Sequence, residues 1–183
     1  MTMEPFQYWL EVTLSSVPPV RAFMQTGWGW PAVESVHFLG LTLLFGSIAV
    51  WDMRLLGMVR GVPIAAFHRL VPFAVVGFAV NVASGSLFLM AEANQYLYNP
   101  AFHVKMLLVG LAGLNVLVFY VAIFRRLDRL GAGMATRAAQ MSGAFSLIFW
   151  IGVIICGRLI TFYRPTVCSP DRAAGLLADC ILR

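Results

Sequence analysis

Five ionisable residues fall inside, or at the rims of, long apolar stretches: Glu34, His37, His103, Lys105 and Arg158. A charged side chain inside a bilayer costs about 2.5–3.5 kcal/mol on insertion scales, so each of the five invites a function. Cations can hold an anion or polarise a carbonyl, and an imidazole can pass a proton or ligate a metal. Glu34 and His37 are three positions apart and share one side of a helix, with Gly40, Leu41 and Leu44 beyond them. Lys105 shares a face with Leu108, Ala112, Asn115 and Phe119, and Asn115 falls at mid-membrane, where an amide is expected to face protein. Gly77, Asn81, Ser84 and Gly85 form a small, polar stripe on a third stretch. The expected site is a polar pocket lined by His37, Asn81, Ser84, Lys105 and Asn115, closed at its mouth by Glu34 and Arg158. His37 is its one candidate metal ligand. His103 lies roughly 200° around the helix from Lys105, so it faces the loop or the headgroups if Lys105 faces inward.

A structural reading competes for the same residues. Lys105 and Arg158 stand near helix ends, where long cationic side chains snorkel to the headgroups. Glu34 and His37 can be a local pair, and the small residues can simply permit close helix packing. Other chemistry is sparse. There is no CxxC, HExxH or phosphate loop, the three Cys and three His lack metal-ligand spacing, and the nine Met are scattered. No nucleophile stands beside a base. These features point to a non-catalytic protein.

The elements that position these residues follow from composition. Of 183 residues, 60% are hydrophobic and 11% charged, against about 45–50% and about 25% in soluble domains. A soluble chain of this size has too little interior for so much apolar surface, so the bilayer must be the solvent. The pattern predicts an all-α, four-transmembrane-helix bundle with an N-terminal interfacial amphipathic helix and a short C-terminal periplasmic helix. The interfacial segment covers 1–30, the transmembrane domain 31–163 and the periplasmic tail 164–183. Spans are expected at Pro31–Trp51, Leu70–Ala91, Phe102–Phe124 and Met141–Tyr163. Phe6, Tyr8, Trp9, Phe23, Trp28 and Trp30 suit the headgroup layer, and Pro18-Pro19 breaks the first segment.

The net charge of +5 does not indicate nucleic acid. Arg54, Arg60 and Arg69 occupy one interspan loop, and Arg125, Arg126, Arg129 and Arg137 another. That asymmetry places both loops inside and both termini outside, in the periplasm of a bacterial inner membrane. Met1–Leu10 shows no basic start, apolar run and cleavage site of a signal peptide. Cys168 and Cys180 flank Ser169-Pro170-Asp171, a helix-start pattern, and a disulfide between them would staple a short outside helix. Two free thiols are the other reading. Partners expected are the lipid bilayer and other membrane protein subunits.

Glu34-Ser-Val-His37-Phe-Leu-Gly40, Asp52-Met-Arg54-Leu-Leu-Gly57, Asn99-Pro-Ala-Phe102-His-Val-Lys105, Asn115 and Gly157-Arg158 together resemble a family of uncharacterised bacterial four-helix inner-membrane proteins. The resemblance spans most of residues 31–163. That family in turn has the look of the copper-resistance-D and cytochrome b561-like membrane proteins, which handle haem b, quinone or copper. The resemblance implies an electron-transfer module binding haem b or quinone as an alternative to a non-catalytic membrane subunit. A small transporter or proton channel is a third reading. The inward histidine matching the pattern is His37, and the pattern does not require His68 or His103.

Overall fold

The computed structural model describes residues 9–10, 12–14, 16–58, 64–124, 136–163, 166–167 and 180–181. Four helices are long and apolar enough to cross a membrane: Gly29–Leu55, His68–Ala91, Pro100–Phe124 and Arg137–Phe162, the first to fourth spans. The chain is thus a multi-pass helical membrane protein. Large apolar side chains face outward along every span, among them Leu39, Val75, Leu107 and Ile148, as lipid-facing residues must. A short helix, Pro18–Met24, precedes the first span and begins on two prolines, whose fixed φ suits a first turn. Its Met24 packs with Val33 and Phe88, tying it to the first and second spans.

Two spans begin with side-chain caps. Asn99 accepts from the Ala101 amide at 3.0 Å ahead of Pro100. Thr136 accepts from the Ala139 amide at 3.3 Å. Each satisfies an N–H group that has no carbonyl one turn before it. The Thr136 cap is why the fourth span starts at Arg137 rather than at Met141. The first span likewise runs a full turn past Trp51 to Leu55. Asp52 and Arg54, expected in an aqueous loop, are instead 3% and 2% exposed, enclosed by protein. The third span ends in a π-helical stretch, Phe119–Phe124. Such wide turns favour functional sites.

The spans are not evenly packed. The first packs along the second, the third along the fourth, and the first against the fourth, whereas the second and third scarcely touch. Their order is therefore second, first, fourth, third, an open curve with a gap on one side. The tightest approach is between the first two. A Cβ added to Gly77 would lie 2.5 Å from the Leu44 backbone nitrogen and 2.7 Å from the Gly40 carbonyl oxygen. Side-chain-free positions let the two backbones meet, the usual device of helix pairs in lipid. Near the C-terminus, Thr166–Val167 pairs in parallel with Cys180–Ile181. Cys168 and the tail helix expected after it lie outside the described residues.

Candidate functional site

The six descriptors of the expected pocket do not stay together; the fold sorts them to two ends of the bundle. At the Glu34 end, His37 Nδ1 is 2.8 Å from Ser84 Oγ. The Ser84 hydroxyl donates to the Val80 carbonyl at 2.6 Å, so its one proton is spoken for. His37 must then be the donor through Nδ1–H, which leaves Nε2 with an open lone pair. Phe88 meets the imidazole edge-on at 5.6 Å between centroids, holding the ring. Asn81 Nδ2 donates to the Gly77 carbonyl at 2.9 Å and lies against Gly40. The small polar stripe of the second span thus faces the first span.

Lys105 enters the same region from the third span. A Cβ added to Gly157 of the fourth span would stand 3.6 Å from Lys105 Nζ, so that glycine makes the room the ammonium occupies. Lys105 is near enough for its charge to act on His37. Among the described residues no acidic side chain forms an ion pair with it. His103 is turned away, as its position on the helix requires: its Nε2 donates to the Leu97 carbonyl at 2.9 Å.

Glu34 and Arg158 do not close this region. Both are exposed. The Arg158 guanidinium lies 5.0 Å over the Phe162 ring at the helix end, the geometry of a cation resting on an aromatic face. Glu34 acts on Tyr96 of the loop between the second and third spans. Burial first, then Glu92 and Glu34, push the Tyr96 phenol up to about 12, so it stays neutral at physiological pH.

Asn115 belongs to the other half. Its Nδ2 donates to the Ser142 carbonyl at 3.0 Å and its Oδ1 accepts from the Ser142 hydroxyl at 3.1 Å. This reciprocal pair ties the third span to the fourth. Leu44, Ala112, Trp150 and Val153 form an apolar cluster at mid-height. Below it, a cavity of about 300 Å³ opens where the second and third spans fail to meet, bounded by all four helices. Its wall is almost entirely apolar, with Asp52, Asn115, Ser142 and Ser146 as the polar exceptions.

Sequence reasoning overlooked two further polar residues. Gln95 Nε2 donates to the carbonyls of Ile160 and Tyr163 at 2.8 and 3.0 Å. Asn99 Nδ2 donates to the same two oxygens at 3.2 and 2.7 Å. Together they cap the C-terminal end of the fourth span from the loop between the second and third. Helix ends leave carbonyls without partners, so an amide-rich loop beside four helix ends was the available signal.

Comparison with known proteins adds a family and nothing more. The model of the DUF6644 family, described as a family of unknown function, matches residues 26–163. No curated protein and no solved structure matches the chain. The matched segment begins just before the first span and ends just after the fourth. The resemblance to copper-resistance-D and cytochrome b561-like proteins therefore finds no support.

Proposed function

The chain belongs to the DUF6644 family, whose function is unknown, and from its residues we propose a non-catalytic integral membrane subunit or accessory protein of a larger assembly. Its site is the region around His37, Asn81, Ser84 and Lys105, which receives an anionic or carbonyl-bearing group from a ligand or a partner subunit. One observation supports this above the others. Lys105 holds a cation within the bundle, in space left by Gly157 and facing His37, with no acidic partner among the described residues. An unpaired ammonium is costly there, and an arriving negative charge removes the cost. A merely snorkelling lysine would extend to the helix end, as Arg158 does.

A haem would find one imidazole here, His37 through Nε2. His103 is held by the Leu97 carbonyl, so the described residues do not fit a bis-histidine site. The test is purification from native membranes in mild detergent with an absorbance spectrum. A stoichiometric partner lost in Lys105→Met, with no Soret band, is the expected result. A solitary protein whose spectrum shows bound haem would reject the subunit reading.

The distribution of arginine supports an orientation with both termini outside. Single reporter cysteines at positions 3 and 175 should react with an impermeant maleimide in intact spheroplasts, and one at position 131 should not. Labelling at 131 would reverse the orientation.

A further inference from the structure

The cavity at the Asp52 end is not used by the reading above, and it contains two groups that lack what burial normally demands. Asp52 is 3% exposed, yet its Oδ2 has no hydrogen-bond partner among the described residues. Trp150 is 6% exposed, and its indole Nε1–H is likewise without one. Both residues border the cavity. Buried polar atoms are hydrogen-bonded in the great majority of cases, and an orphan costs about 1–3 kcal/mol. Two orphans facing one apolar cavity mark a place where a ligand supplies the partners.

The cavity constrains that ligand in three ways. Its wall is apolar and it opens sideways, between spans that barely touch, so the ligand comes from the bilayer and carries no net charge. Phe78, Phe119 and Tyr120 line it together with Trp150, and aromatic walls favour a ring by offset and edge-on stacking. Phe119 and Tyr120 begin the π-helical turn, and Phe119 itself is buried. Last, the two orphans are offset along the membrane normal. Ser146 is within hydrogen-bonding reach of Asp52, and Trp150 is one turn further along the same helix, roughly 6 Å at 1.5 Å per residue. The indole can only donate, so that end of the ligand presents an acceptor oxygen. The carboxyl accepts from a hydroxyl when ionised and donates to a carbonyl when protonated.

We propose that this cavity binds the headgroup of a neutral, lipid-soluble ring bearing oxygens at opposite positions, a quinol or quinone, with its tail leaving between the second and third spans. Trp150 donates to one oxygen and Asp52 pairs with the other. A cavity of about 300 Å³ is at the small end of ligand sites and suits one substituted ring. The site is separate from the Lys105 region, across the apolar cluster of Leu44, Ala112, Trp150 and Val153.

The experiment is equilibrium binding of a radiolabelled decyl-tailed benzoquinol to the full-length protein in lipid nanodiscs. Saturable binding of one molecule per chain is expected. Trp150→Phe, which keeps a ring and deletes the donor, should weaken it about tenfold, the equivalent of one hydrogen bond at 1.4 kcal/mol. Gly113→Leu supplies a variant that leaves the packing alone. Gly113 borders the cavity, and a Cβ added there meets nothing within 4 Å. It should block binding while the thermal midpoint is kept. Unlabelled decanol should not compete at equal concentration. Absence of saturable binding, full affinity in both variants, or equal competition by decanol would each overturn the proposal, the last by assigning the cavity to an alkyl chain.

Discussion

Asn99→Ala is expected to destabilise the bundle by on the order of 3 kcal/mol, from one lost helix cap and two lost hydrogen bonds. The side chain is fully buried at 0% exposure and serves two helices at once. Its oxygen caps the third span through Ala101 N–H, and its nitrogen holds the Ile160 and Tyr163 carbonyls at the end of the fourth. Asn99→Asp separates the two roles. It keeps the cap acceptor but sets carboxylate oxygens against two carbonyls, so it should cost at least as much although the shapes match. Gln95 donates to the same two oxygens, so each single change leaves them one donor. The double change Gln95→Ala with Asn99→Ala leaves them none, and its cost should exceed the sum of the singles. Unfolding in detergent by thermal scan or denaturant titration measures all four proteins. Additivity, or an Asn99→Asp as stable as the parent, would show that this loop does not clamp the fourth span.

Gly77→Ala is expected to be the most damaging alanine substitution in the second span, costing about 2–3 kcal/mol or more by overpacking. The added Cβ meets backbone atoms, Leu44 N at 2.5 Å and Gly40 O at 2.7 Å, which cannot rotate aside as a side chain would. The first and second spans must move apart, which also lengthens the His37 to Ser84 hydrogen bond. Gly85→Ala is the matched comparison, on the same helix two turns away. There the nearest neighbour of an added Cβ is His37 Cε1 at 3.8 Å, ordinary contact. Without a clash, the helix preference for alanine over glycine, about 0.8–1.0 kcal/mol, should leave Gly85→Ala neutral or stabilised. Thermal unfolding and His37 ring chemical shifts read both effects. A Gly77→Ala protein no less stable than Gly85→Ala would remove the close packing of the first two spans as a feature of the native state.

Both predictions turn on distances between residues far apart in the chain, and so show where the sequence stops being informative. Composition and apolar run length determined the four spans, because a bilayer leaves a backbone no other way to satisfy its N–H and C=O groups. Helical periodicity determined that His37 and Glu34 share a side, that Lys105 and Asn115 share a face, and that His103 diverges from Lys105. The ends of spans were less legible. Asp52 and Arg54 read as the start of an aqueous loop, because a charge in an isolated helix must reach water. Enclosure by other helices removes that requirement, and the helix continues to Leu55.

Only the tertiary structure decided which faces meet. Residues with the same periodicity went to different neighbours: Lys105 to Gly157 near His37, Asn115 to Ser142 at the other half, Arg158 outward to Phe162. Depth along a helix is written in the sequence at 1.5 Å per residue, but rotation against three other helices is set by packing. Gly40 and Gly77 draw the first two spans together, and the second and third are left apart. The cavity in that gap is a property of the packing, and Asp52 and Trp150 become unsatisfied only through it. No local pattern in the chain announces a group whose partner is missing, because the lack is defined by everything that surrounds it.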